Sequence, residues 1–132
     1  MSVWVKSKAK VLENVDKKIL SRACEKMGFT MDETIKSISN NYGKDQVDAG
    51  LRLKDKVQDI GFSFEKAKGK TELNVKGDFY FVKGYNEITF IDKLSNEYQK
   101  INVVEKAQIN GYSVESQKEL QNGDTEIMLY AY

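Results

Sequence analysis

The chain has no histidine, no proline and a single cysteine. Without histidine there can be no Ser-His or Cys-His nucleophile pair, no two-histidine zinc motif and no ordinary neutral-pH proton shuttle. The lone Cys24 excludes an intramolecular disulfide, and its place on an apolar helical stripe predicts a small core residue rather than a reactive thiol. The lack of proline removes X-Pro punctuation, so boundaries rest on glycine and asparagine signals. No stretch approaches the roughly 18 apolar residues of a membrane span, and the N-terminus has no long apolar run of the signal-peptide kind. The expectation is a protein without a membrane partner in a reducing, cytoplasmic setting. Charge of one sign is lacking too: 21 Lys and Arg face 20 Asp and Glu, a net charge of +1. That balance argues against a strongly basic nucleic-acid binder. No glycine-rich phosphate loop of the P-loop or dinucleotide-binding type occurs, and no cofactor is expected.

What is present fits one domain over residues 1–132, long enough to bury a core without staples. Hydrophobic residues make up 40% and charged residues 31%, outside the low-hydrophobicity, high-net-charge corner where chains stay disordered. Charge is nevertheless uneven. Residues 1–27 hold seven Lys/Arg against three Asp/Glu, and residues 105–132 hold two against five. Solvated elements at both ends explain this, with a head-to-tail assembly surface as the alternative.

Val3, Val5, Ala9 and Val11 alternate with Lys6, Lys8 and Lys10, the period-two pattern of a half-buried strand. Asn14 or Asp16 can cap a helix carrying Val15, Ile19, Leu20, Ala23, Cys24 and Met27, which Gly28 stops. Phe29 to Met31 reads as a short strand. Asp32 to Gln46 is polar and reads as a loop with one helical turn. The runs Val47, Ala49, Leu51, Leu53 and Ile60, Phe62, Phe64 predict two strands joined by the charged Lys54 to Asp59. A turn over Lys66 to Lys70 leads to another strand, with Leu73 and Val75 alternating toward Phe79 and Phe81. Ile88, Ile91, Leu94, Tyr98 and Ile101 predict an amphipathic helix, and Asn102 caps a shorter one ending at Asn110-Gly111. The tail alternates through Tyr112 and Val114, turns at Asn122-Gly123 and ends on Ile127, Leu129 and Ala131. The expected fold is α+β, a mainly antiparallel sheet with two main helices. A ferredoxin-like arrangement is one form of it, suggested by a weak echo of helix, glycine, aromatic and strand at Gly28-Phe29 and Gly111-Tyr112.

This order of features resembles a family. The opening charged strand, Lys26-Met27-Gly28-Phe29, Asp59-Ile60-Gly61-Phe62 with its hairpin, Leu73-Asn74-Val75-Lys76-Gly77-Asp78, the helix through Phe90-Ile91 and Leu94 to Tyr98, and Gly111-Tyr112 are similar to domain of unknown function 1257, of plastid genomes, cyanobacteria and other bacteria. The segments Asp32 to Gln46 and from Gln117 onward fit that pattern least. The resemblance implies no residue-level activity. It implies an accessory role beside a partner protein, such as an ATPase or another small neighbouring-gene product.

Carboxylates cluster at Asp32-Glu33, at Asp45 with Asp48 and at Asp55 with Asp59, where acid-base work or cation binding is conceivable. Their spacings match no calcium loop, and solvated loop carboxylates are the simpler reading. The run Lys76-Gly77-Asp78-Phe79-Tyr80-Phe81-Val82 resembles the aromatic strand motif of RNA-recognition domains, and Val3-Trp4-Val5 resembles its companion. Exposed aromatics of such strands stack bases while basic residues contact phosphates. The candidate binding face is therefore Trp4, Lys6, Lys8, Lys10 and Tyr80. The long sequence between the two segments speaks against that topology, and lysines on a strand often only guard an edge. The leading expectation is a non-catalytic domain that binds another protein, with single-stranded nucleic acid as the alternative.

Overall fold

The computed structural model describes residues 4–40, 43–78, 84–119 and 125–131. Its first helix, α1 (Lys17–Lys26), begins where Asp16 turns extended and its carboxylate accepts the free N–H groups of Lys18 and Ile19, at 2.8 and 3.3 Å. Ile19, Leu20, Ala23 and Cys24 recur at three-to-four spacing and are all buried. The second helix, α2 (Glu87–Ile109), starts with a reciprocal cap. Thr89 N–H donates to the Asn86 side chain and Asn86 N–H donates to the Thr89 hydroxyl, both at 2.9 Å. Phe90, Leu94 and Tyr98 form its buried stripe, while Ile88 remains 69% exposed.

One continuous α2 replaces the two helices expected from Asn102. No glycine or proline lies between Glu87 and Ile109, and an interior asparagine costs a helix only a fraction of a kcal/mol, roughly 0.5–0.7. Tertiary packing easily outweighs so small a term.

The strands are β1 (Trp4–Glu13), β2 (Phe29–Asp32), β3 (Ser37–Asn40), β4 (Gly43–Gln46), β5 (Ala49–Leu53), β6 (Lys56–Ala67), β7 (Lys70–Asp78), β8 (Tyr112–Glu119) and β9 (Thr125–Ala131). Five form one sheet in the order β1-β7-β6-β5-β2, and every pairing in it is antiparallel. The β6–β7 hairpin closes through Lys68 and Gly69, both at positive φ (51° and 76°), with Ala67 paired to Lys70. Two positive-φ residues are what a type I′ turn requires. The α+β class and the mainly antiparallel sheet thus stand as expected. The ferredoxin-like order does not, because that fold sets its first strand inside the sheet. Here β1 is an edge, and α1 carries the chain from that edge to β2 at the other.

Helices cover one face. Ile19, Leu20, Ala23 and Cys24 of α1, Phe90, Leu94 and Tyr98 of α2, and Phe29, Leu51, Ile60, Phe62, Leu73 and Val75 of the strands belong to one buried cluster. Phe90 meets Phe29 and Tyr85 edge-on at 5.9 and 5.8 Å between ring centroids. The helices are tied near α1's start, where Asp16 N–H donates to the Tyr98 hydroxyl at 2.8 Å, and farther on by Arg22 with Glu105.

The opposite face carries the correction at Asp32 to Gln46. Instead of a loop with one helical turn, β3 and β4 form a hairpin whose Ile38 is buried at 2% exposure, as is Val47 beyond it at 6%. Its seat is a flat spot. Gly50 and Gly61 are register partners on β5 and β6, and a Cβ on either would run into Ile35 or Val47. Strands β8 and β9 pair separately. The expected turn at Asn122-Gly123 and the continuation through Phe79 to Val82 lie outside the described residues.

Candidate functional site

The sheet edge brings the two separated segments together. Strand β1 pairs with β7 so that Trp4 stands across from Asp78, Lys6 from Lys76 and Lys8 from Asn74. The long intervening sequence is taken up by α1, β2 and the two hairpins, so it does not keep the segments apart. Lys10 lies in the stretch where the register shifts between Lys8 and Glu13, and Tyr80 lies outside the described residues. On β7, Leu73 and Val75 belong to the helix-side core. By the period of two, Asn74 and Lys76 belong to the other face, the one bearing the β3–β4 hairpin.

Lys76 is already engaged there. Its ammonium donates to the Gln46 carbonyl at 3.2 Å and lies 3.9 Å from the Asp45 carboxylate. Lys36, entering β3, donates to the Asp48 carbonyl at 3.2 Å. Asp48 fastens the chain to β6 twice: its N–H donates to the Phe62 carbonyl at 2.8 Å, and its carboxylate accepts Phe64 N–H at 2.8 Å. Between hairpin and sheet lies a cleft of about 640 Å³ lined by Lys36, Ser37, Gln46, Val47, Asp48, Ser63 and Lys76.

Of the clustered carboxylates, Asp32, Asp45 and Asp48 have structural employment. Asp32 accepts from Thr34 and from the Arg52 guanidinium at 2.9 Å, and its carboxyl is held down at about 2 by the Thr34 hydroxyl first and Arg52 next. Asp45 faces Lys76, and Asp48 serves as the anchor just described. Among the described residues no three His, Cys, Asp or Glu gather as a metal cluster would require. Cys24 is buried, and that burial pushes its thiol up to about 12, with Glu25 adding to the effect. A thiol so raised is no nucleophile near neutral pH. No helix among the described residues is long and apolar enough to cross a membrane.

Sequence reasoning singled out Lys76 but missed Lys36, Ser63 and Asn74 as its neighbours. Only the register of β6 and β7 and the docking of the hairpin place them together; a signal did exist in the glycines at 50 and 61, each isolated in a strand pattern.

Residues 23–128 match the family described as "Protein of unknown function (DUF1257)". No curated protein and no solved structure matches the chain.

Proposed function

The chain belongs to the DUF1257 family of proteins of unknown function, and on that premise we propose that it is a small non-catalytic accessory domain that binds another protein. The observation that carries this reading is the edge at β1. Ten residues long, it ends the main sheet, and no described strand pairs with its outer side. The opposite edge, β2, has only four residues. A long open edge offers a row of backbone donors and acceptors that an extended segment of a partner can complete as an added strand. Support for a non-catalytic role comes from the chemistry-bearing groups. There is no histidine, the one thiol is buried, and Asp32 and Asp48 are held by structural hydrogen bonds. An ATPase or a neighbouring-gene product is the partner class that the family resemblance suggests, in a cytoplasmic setting.

Affinity capture of the full chain from its native cell, with mass spectrometry, tests the proposal. The expected result is one stoichiometric protein, lost when a proline in β1 removes an outward N–H from a chain that stays folded. Recovery of nucleic acid alone overturns it.

One observation favours a second reading, single-stranded nucleic-acid binding: the register sets Trp4 and Lys6 beside Asp78 and Lys76, on neighbouring strands as an aromatic and basic sheet face requires. If Trp4 stacks a base, Trp4→Ala weakens oligonucleotide binding by about 1 to 3 kcal/mol. If Trp4 is instead packed, the same change destabilises the fold by about 3 to 5 kcal/mol. Replacing Lys6, Lys8 and Lys10 together flattens the salt dependence in the first case only. Thermal unfolding and oligonucleotide titration on the same variants separate the two.

A further inference from the structure

We propose that the β8–β9 hairpin of a second copy of this chain docks on the open edge of β1, so that two copies exchange hairpins in a closed pair. The proposal rests on the reading of β1 as an edge that accepts an added strand, and it names the strand that completes the edge when the protein is alone. Its first ground is the hairpin itself. Among the described residues β8 and β9 pair only with each other, and β8 packs on α2 while neither strand packs comparably on the five-stranded sheet. A lone two-stranded ribbon is marginal at best in water, and a third strand is what ordinarily stabilises it. Strand β9 also has the wrong composition for an edge. Ile127-Met128-Leu129-Tyr130-Ala131 is an unbroken apolar run, the pattern of a strand covered on both faces, whereas exposed edges ordinarily carry charge.

Length and charge select β1 as the partner. Strand β1 has ten residues, β8 eight and β9 seven, so a hairpin strand can pair along most of the edge; the four residues of β2 at the other end of the sheet are too few. Lys6, Lys8 and Lys10 outnumber Glu13 on β1, and Glu115, Glu119 and Glu126 outnumber Lys118 on β8 and β9. Strand β7 does not supply carboxylates beside the first two lysines, because the register sets Lys6 across from Lys76 and Lys8 across from Asn74. Like charges directly opposite each other destabilise a sheet and opposite charges stabilise it. An acidic strand on the outer side therefore offsets what the inner side leaves. Among the described residues of one chain neither β8 nor β9 pairs with β1, so the pairing runs between copies. A two-fold arrangement uses both edges and both hairpins and leaves no open end to polymerise. A partner protein that adds a strand to β1 has to displace the hairpin, which makes self-association and partner binding compete.

Light scattering on a concentration series of the full chain is the first measurement, and the mass should rise from that of one chain to that of two. Charge exchange then identifies the surfaces. One variant carries Lys6→Glu, Lys8→Glu and Lys10→Glu, and the other carries Glu115→Lys, Glu119→Lys and Glu126→Lys. Each alone should associate about tenfold more weakly or worse, since several opposite-charge neighbours become like-charged. An equimolar mixture should recover the parent's affinity, because every edge again meets a hairpin of opposite charge. Circular dichroism checks the fold of each variant, and Lys8→Glu with Glu126→Lys repeats the mixing test if a triple variant unfolds. A parent that stays monomeric at millimolar concentration overturns the exchange, as does unchanged association in folded variants. Weakened association that mixing does not restore assigns the edge to the hairpin of its own chain and overturns it too. A monomeric parent that still captures one stoichiometric protein, lost with the β1 proline, overturns the exchange alone. A two-fold pair whose capture of a partner ignores that proline overturns the partner reading alone.

Discussion

Replacing Gly61 by alanine should destabilise this protein, although Gly→Ala in a strand ordinarily does the reverse. Where the backbone is compatible, the methyl group stabilises by about 0.4–1 kcal/mol by narrowing the unfolded ensemble. At Gly61 that gain meets a wall. The new Cβ would sit 2.7 Å from Val47 Cγ1, 3.0 Å from Val47 Cβ and 2.9 Å from the Ala49 carbonyl oxygen. Overpacking of this kind costs about 1–3 kcal/mol, so the net sign is a loss. With a urea m-value of about 2 kcal/mol/M, a loss of 2 kcal/mol lowers the unfolding midpoint by about 1 M. Gly50→Ala makes the internal control, because its three nearest atoms, at 2.5, 2.8 and 3.0 Å, all belong to Ile35. A side chain can be trimmed, and a main-chain carbonyl cannot. Trimming Ile35 to glycine, which removes all three atoms, should therefore recover most of the Gly50→Ala cost, whereas Val47→Gly should recover less of the Gly61→Ala cost, because the Ala49 carbonyl remains. Urea denaturation of the four single and two double variants gives both coupling energies. A Gly61→Ala protein as stable as its parent or more so would refute the reasoning, because the hairpin would then not rest on that glycine.

Two further outcomes follow from the titratable groups. Asp32 is held at about 2 against an ordinary 3.8 by Thr34 and Arg52; a lowered folded value gives stability that is present above about pH 4 and is lost as pH falls toward 2. Asp32→Asn should flatten that acid limb in urea midpoints measured from pH 2 to 5, and an unchanged limb would count against the account. Cys24, buried with its thiol pushed up to about 12, should react with a disulfide reagent at pH 8 only as fast as the chain opens. Rapid labelling of the native protein would contradict its core position.

Much of the fold was legible because short-range chemistry and burial agree. Asp16 before an apolar stripe of period 3.6 specifies α1, and Ile60-Phe62-Phe64 facing Leu73-Val75 across Lys68-Gly69 specifies the β6–β7 hairpin. The segment Ser37-Ile38-Ser39-Asn40 defeated the same reasoning. Serine and asparagine are poor strand formers, and the segment buries one large side chain, Ile38. Its extended form comes from the surface it lies on. The division of α2 at Asn102 failed for a related reason, since a capping residue ends a helix only where the chain has somewhere else to go.

The sequence by itself determined the chemical vocabulary: no histidine, one thiol on an apolar stripe, near-balanced charge, and alternations long enough to make an antiparallel α+β domain. Those are properties of residue types and of near neighbours, which periodicity reports directly. Only the tertiary structure decided that β1 returns to pair with β7, that a glycine pair seats the β3–β4 hairpin, and that Lys36, Ser63 and Lys76 meet at one cleft. These positions lie as much as forty residues apart in sequence. Strand order and face-to-face docking are set by the summed burial of the whole sheet, and no local pattern carries that sum.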